Sequence, residues 1–139
     1  MSNLNRLTYQ PSPMPLIVLG GRHFSYPELF TSQGLLAALG GGPGLYAVMA
    51  YDLGWRPLPY RPLYFGESEN IWSRATAEHE NYSSWVREAG TATLYRAFHY
   101  MTGSTAAARR AAESALIAHY GTPCNRRLSI DLARLLRGI

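Results

Sequence analysis

The stretch Gly44-Leu-Tyr-Ala-Val-Met-Ala-Tyr-Asp52 decides the fold, because it is the clearest β-strand in the sequence. Its side chains alternate between two faces, as the two-residue period of a strand requires. A second strand is predicted over residues 62–66, and the connection between the two is rich in proline and glycine. Two strands joined in this way most simply form an antiparallel hairpin.

This hairpin predicts which side chains share a face. Tyr46 and Tyr64 can project together from one face of the sheet. The opposite face is predicted to carry the core residues Leu45, Ala47, Met49, Leu63 and Phe65.

The chain after the hairpin predicts a helix from the N-cap Ser68 to about Glu80. Its inward stripe is Ile71, Ala75 and His79. A second short helix is predicted over residues 82–88, followed by a third strand over residues 91–101.

A long alanine-rich helix is predicted to begin at a cap on Ser104 or Thr105 and to run to Tyr120. Gly121 and Pro123 follow in the order that usually ends a helix. A short basic helix is expected over residues 128–136, and residues 1–42 read as an irregular arm with a short helix around residues 32–39. We therefore expect an α+β fold, with a small, mainly antiparallel three-stranded sheet flanked by helices.

Composition limits the class of protein. The chain has 139 residues, 47% of them hydrophobic and 12% aromatic, which indicates one compact core and excludes a disordered protein. The single cysteine, Cys124, excludes an intramolecular disulfide framework and a cysteine-rich zinc site. No apolar run is long enough to span a bilayer and the first residues are polar, so we expect a cytoplasmic protein with no membrane partner. A secreted effector stays open.

Charge permits a nucleic-acid partner. The formal net charge is +4, and all thirteen basic residues are arginine. Arginine presents a planar fork of donors that matches phosphate oxygens. The same bias is also expected from a GC-rich genome, so it does not establish the partner by itself.

An ordered set of motifs adds a resemblance. The triplets Gly44-Leu45-Tyr46 and Tyr64-Phe65-Gly66 are followed by Arg74, then by Glu113 in the long helix and by Asn125. Together they resemble the GIY-YIG nuclease superfamily over about residues 43–126. Leu45 and Phe65 replace isoleucines of the two triplets.

The resemblance implies a division of the chain into an arm (residues 1–42), a GIY-YIG-like nuclease domain (43–126) and a C-terminal helix packed on that domain (127–139). Some members of the family carry a histidine four residues after the helix arginine. Here Glu78 stands at that position and His79 comes one residue later.

Glu113 also stands out without the resemblance, because it lies on the same side of its helix as Leu116, Ile117 and Tyr120. A carboxylate on an apolar stripe needs a partner. Arg109, four residues earlier, offers an ordinary helical ion pair. The alternative is a divalent metal, and a single carboxylate suits Mg²⁺, which keeps several waters.

The remaining residues have ordinary interpretations when each is taken alone. Tyrosines are common in strands for packing reasons, and asparagine is common in turns. Arg74 alone reads as a solvated charge. Gly66, just before a helix, either serves packing or lets the backbone approach a ligand closely.

The resemblance implies an endonuclease that hydrolyses phosphodiester bonds in DNA with one Mg²⁺ or Mn²⁺ per active site. Tyr46 or Tyr64 would help to take a proton from the attacking water, Arg74 would contact the scissile phosphate, and Glu113 would hold the metal. Asn125 would order the site, with His79 and Gly66 as accessory residues. The arginines expected to contact DNA are Arg74, Arg109, Arg110, Arg126 and Arg127.

Two alternatives stay open. A nucleic-acid-binding protein could keep the same fold without catalysis, although such a protein is expected to lose one of the motif residues and none is lost here. A toxin or effector domain could use the same chemistry on a rival cell's DNA, with an immunity or inhibitor protein as its partner. A homodimer is also open, because one active site cuts one strand at a time.

Overall fold

The computed structural model describes residues 16–32 and 41–125. Six strands lie in this part of the chain: β1 (Leu16–Leu19), β2 (Arg22–Ser25), β3 (Glu28–Leu29), β4 (Gly44–Tyr51), β5 (Tyr60–Ser68) and β6 (Tyr95–Tyr100). The helices there are α1 (Ile71–Arg74), α2 (Tyr82–Ala89) and α3 (Ala106–Tyr120). The helix expected over residues 128–136, most of the one expected around residues 32–39, and both Arg126 and Arg127 lie outside the described residues. None of the described helices has the length and apolar character needed to cross a bilayer.

The α+β class and the antiparallel sheet are confirmed. The main sheet has the strand order β3-β6-β4-β5, so β4 is central and pairs with β5 and β6. It has four strands rather than the expected three, because the two-residue strand β3 adds to the edge of β6. Strands β1 and β2 form a separate hairpin within residues that the sequence indicated only as an irregular arm.

Both faces of the main sheet are buried. One face packs Leu45, Ala47 and Phe65 against α3 and against apolar residues of the β1–β2 hairpin. The other face carries Tyr46 and packs against α1 and α2. The β1–β2 hairpin of the arm therefore shares a core with strands β4 and β5. The division of the chain into domains stays a prediction.

The predicted face of Leu63 is wrong. A register shift between Val48 and Met49 interrupts the pairing of β4 with β5. Because a bulge reverses the alternation of side chains, Leu63 packs in the cluster that contains Tyr46.

The helix predicted from Ser68 to Glu80 is much shorter. Asn70 takes the N-cap position, and α1 ends after one turn at Arg74. The carbonyl of Ala75 instead accepts a hydrogen bond of 2.8 Å from the buried guanidinium of Arg96, and residues 75–81 form successive turns. A tertiary contact thus overrides local helix propensity.

The inward stripe of that segment and the long helix are both confirmed. Ile71, Ala75 and His79 are all buried. The hydroxyl of Thr105 accepts the backbone N–H of Ala108 at the start of α3, and Gly121 ends it in the left-handed conformation.

Candidate active site

Tyr46 and Tyr64 lie on the same face of the β4–β5 hairpin, as the alternation predicts. Their ring centroids are 6.0 Å apart. Tyr46 is the more buried of the two, with 1% of its surface exposed, whereas Tyr64 is half-buried. Water therefore has easier access to Tyr64.

Gly66 is the cross-strand partner of Tyr46. A Cβ atom on Gly66 would collide with the Tyr46 ring, since the hydroxyl end of the phenol lies directly over the glycine. The lack of a side chain at Gly66 therefore serves the packing of Tyr46. This favours the packing interpretation over close approach of a ligand.

His79 connects the tyrosines to the α1–α2 segment. Its Nδ1 accepts the backbone N–H of Asn81 at 2.9 Å. Its Nε2 is hydrogen-bonded to the hydroxyl of Tyr46 at 3.0 Å. The imidazole also packs against Trp85, with 4.5 Å between ring centroids. His79 is thus held in one orientation.

Burial sets the charge states of these rings. Desolvation raises the pKa of Tyr46 far above its usual value, with the neighbouring Tyr64 adding to the effect and Arg74 opposing it. The pKa of Tyr64 is also raised, again mainly by burial. Burial, helped by the charge of Arg74, lowers the pKa of His79 to about 4. At neutral pH all three rings are uncharged.

Arg74 lies at the open side of this cluster. Its Nη2 is 3.2 Å from Nε2 of His79 and donates to Oε1 of Glu80 at 2.6 Å. The side chains of Arg74 and Glu80 are 39% and 64% exposed. The Arg74 hydrogen bond is the main reason that the pKa of Glu80 is lowered to about 2.

Glu113 approaches β5 from α3. Burial, followed by the negative charge of Glu67, raises the pKa of its carboxyl group, and the backbone of Glu67 opposes this rise. The helical pair with Arg109 is not formed, because Arg109 donates instead to Glu67 at 2.9 Å and to Ser104. The charge of Arg110 lowers the pKa of Glu113, but this is the smallest of the effects on that carboxyl group.

Asn125 completes the edge of β5. Its side-chain oxygen accepts the N–H of Phe65 at 2.8 Å, and its amide donates to the carbonyl of the same residue at 2.9 Å. The hydroxyl of Thr122 also donates to the Asn125 oxygen. Asn125 therefore acts as an added strand partner beside Tyr64.

The structure brings four of the residues singled out in the sequence to one short stretch of β5, residues 64–67: Tyr46, Tyr64, Glu113 and Asn125. Arg74 lies next to His79, whose ring contacts both tyrosine rings. Arg110 is exposed on α3, while Arg109 is 3% exposed and held by Glu67, so in this conformation Arg109 does not offer its charge to DNA. Sequence reasoning missed Glu67 and Glu80, both of which bind a predicted arginine. The one available signal was their proximity in sequence to Gly66 and His79.

The donors near Glu113 fit a hard divalent cation. Glu113 and Glu67 are two neighbouring carboxylates, and burial together with the charge of Glu67 raises the pKa of Glu113. Within residues 16–32 and 41–125 no group of three or more histidine, cysteine, aspartate or glutamate residues converges. An ion held by Glu113 would therefore take most of its ligands from water and substrate, as Mg²⁺ commonly does.

Comparisons with known proteins found no relative: no family model, no curated protein and no solved structure matches the chain.

Proposed function

We propose that the protein is a metal-dependent endonuclease that hydrolyses phosphodiester bonds in DNA through a GIY-YIG-type site. The observation that carries this proposal is the convergence of Tyr46, Tyr64, Glu113 and Asn125 on residues 64–67 of β5, with Arg74 next to His79 beside the two tyrosine rings. These residues come from several elements, and a partly exposed arginine and a half-buried carboxylate are not needed to pack the tyrosines.

Arg74 binds the scissile phosphate in this proposal. Its side chain is partly exposed, and a guanidinium is a strong donor to phosphate oxygens. A fixed cation at this position also stabilises the charge that builds up on the phosphate in the transition state.

Tyr64 is the tyrosine that takes the proton from water, and it does so as a phenolate that has first released its own proton to solvent. It is more accessible than Tyr46, and its pKa is raised mainly by burial, with a smaller contribution from the charge of Glu113. Neutralising that carboxylate therefore lowers the pKa of Tyr64 only in part. Tyr46 stays protonated and holds the neutral His79 in place.

Glu113 would hold the metal, with Glu67 beside it. A divalent ion bound there supplies a Lewis acid for the phosphate oxygens. The ion pair of Arg109 with Glu67 fixes β5 against α3, the helix that carries Glu113.

The test is cleavage of supercoiled plasmid by the wild-type chain and by Glu113→Gln, with Mg²⁺, with Mn²⁺ and with EDTA. We expect metal-dependent nicking that Glu113→Gln abolishes. The matched control is Glu69→Gln, which removes one exposed carboxylate just before α1 and should cut like the wild type. Wild-type cleavage by Glu113→Gln would contradict the assignment.

Stability separates loss of chemistry from loss of fold. The raised pKa of Glu113 means that folding disfavours its charged form. We therefore expect Glu113→Gln to unfold at the same temperature as the wild type or at a higher one, measured by circular dichroism at pH 7. A large drop in unfolding temperature would mean that Glu113 is structural.

One observation favours a rival function. Both tyrosines have raised pKa values and are protonated at neutral pH in the free protein. A nucleic-acid-binding protein without catalysis would have such a site. It would bind plasmid, branched DNA or RNA and cut none of them with either metal, and the Glu113→Gln variant would bind equally well.

A further inference from the structure

Arg74, the residue proposed to bind the scissile phosphate, is already occupied by a carboxylate. Its Nη2 donates to Oε1 of Glu80 at 2.6 Å, the shortest ion pair in the described part of the chain. The other oxygen, Oε2, is 3.6 Å from Nδ1 of His79. Glu80 therefore places one negative group against both the guanidinium and the imidazole of the candidate site.

A carboxylate and a phosphate make similar demands on a guanidinium. Both offer charged oxygens to the same N–H donors, and a donor directed at one acceptor is not free for the other. Nη2 carries two N–H groups, so a phosphate that takes the one directed at Glu80 must replace Oε1, and a phosphate on the other would meet repulsion from the Glu80 charge.

We propose that Glu80 is an internal substitute for the substrate phosphate, and that a phosphate gains the full set of Arg74 donors only when Glu80 leaves. This inference rests on the proposed function for the source of the phosphate, a nucleic-acid backbone. The exchange itself needs only a phosphate group and Arg74.

The surroundings of Glu80 suit a ligand that is exchanged. Glu80 lies in the turns between α1 and α2, with its side chain 64% exposed, so a rotation about its own bonds returns the carboxylate to water. Exposed ion pairs contribute little to stability, so release costs little. The Glu80 carboxylate is charged at neutral pH, so the competition persists under those conditions.

Competition of this kind gives selectivity. A ligand must bind Arg74 more strongly than the Glu80 carboxylate does. This disfavours weakly bound anions and favours a phosphate that other groups of the site also bind. In the free protein the same contact shields the cation next to His79.

The experiment compares Glu80→Gln with the matched control Glu78→Gln. Glu78 is an exposed carboxylate of the same segment that makes no ion pair in the described part of the chain, so both variants raise the net charge by the same amount. Binding of a short fluorescein-labelled DNA duplex is followed by anisotropy in EDTA, in the wild-type background and in the Arg74→Gln background. A second arm titrates inorganic phosphate while the NMR signals of Arg74 Nε–Hε and of the His79 ring are recorded.

We expect Glu80→Gln to tighten DNA binding by about two- to five-fold beyond any effect of Glu78→Gln. This excess should vanish in the Arg74→Gln background, because the competition acts through Arg74. Phosphate should shift the Arg74 and His79 signals at a correspondingly lower concentration in Glu80→Gln.

The proposal is overturned if Glu80→Gln and Glu78→Gln behave alike, or if the excess survives without Arg74. Absence of any phosphate-induced shift at Arg74 in both the wild type and Glu80→Gln also overturns it. If DNA is neither bound nor cut but phosphate binding still depends on Glu80, the nuclease proposal fails while the exchange at Arg74 stands.

Discussion

Two arginine–glutamate pairs flank the candidate site and differ in what surrounds them. Arg109 and Glu67 are 2.9 Å apart, with side chains 3% and 19% exposed. Arg74 and Glu80 are closer, at 2.6 Å, but 39% and 64% exposed. The shorter pair is the one open to water, so the N···O distance does not rank the two by their contribution to stability.

Burial decides their roles. In a low-dielectric environment neither ion of a pair can be left alone, and the pair becomes a fixed link between its elements. In water each ion has an alternative partner, and the pair can exchange. Arg109–Glu67 therefore links α3 to β5, whereas Arg74–Glu80 leaves a cation available to a ligand.

The largest expected effect comes from breaking the buried pair. Arg109→Met leaves Glu67 half-buried without its cation and beside Glu113, so we expect a loss of about 3–5 kcal/mol in the free energy of unfolding. Arg74→Met, the matched change at the exposed pair, should cost less than about 1 kcal/mol. Urea unfolding at pH 7 measures both.

A double variant tests the physical reason. Glu67→Leu together with Arg109→Met removes both buried charges, and we expect it to recover most of the stability lost in Arg109→Met. Equal losses in Arg109→Met and Arg74→Met would show that burial does not separate the two pairs.

The next largest effect is the pH dependence of stability that His79 causes beside Arg74. The pKa of His79 falls from 6.5 to about 4 on folding, so between these values the unfolded chain binds the extra proton. The free energy of unfolding is therefore highest above pH 6.5, where His79 is neutral in both states. It falls by up to about 3 kcal/mol as the pH drops toward 4.

NMR titration of the His79 ring and urea unfolding between pH 7 and pH 4 measure this effect. His79→Gln should flatten the dependence over that range, whereas His23→Gln, at an exposed position, should not. Arg74→Gln should raise the pKa of His79 only in part, since burial is the larger cause. A His79 pKa at or above 6.5 in the folded wild type would contradict this account.

The sequence predicts those parts of the molecule that local rules control. Alternation in residues 44–52 predicts β4 and the shared face of Tyr46 and Tyr64, and the Thr105 cap and Gly121 bound α3. These features depend on neighbours in the chain, so a single sequence contains the information that they need.

The features that the sequence did not predict depend on distant contacts. The helix after Ser68 stops at Arg74 because Arg96, on another strand, takes the Ala75 carbonyl. Arg109 has Glu113 at helical spacing but binds Glu67 across the core. The partner of a charged side chain depends on the three-dimensional fold. Neither the ion pair of Glu67 nor that of Glu80 could therefore be predicted from sequence spacing.

The smallest expected effect is the response of the two pairs to salt. At about 1 M sodium chloride the Debye length is about 3 Å, so interactions between exposed charges are largely screened. A double-mutant cycle on Arg74 and Glu80 should give a coupling of less than about 1 kcal/mol at low salt that disappears at high salt. The cycle on Arg109 and Glu67 should keep most of its coupling, because their side chains are only 3% and 19% exposed.

Chloride is the suitable anion for this measurement, since phosphate or sulfate could itself take the place of Glu80 on Arg74. A cycle between Arg74 and Glu78 is the control and should give no coupling at either salt concentration. If the Arg74–Glu80 coupling persists at high salt, that pair is as fixed as the buried one. Arg74 would then not be free to exchange the Glu80 carboxylate for a phosphate. The proposed difference between a structural pair at Arg109 and an exchangeable pair at Arg74 would be wrong.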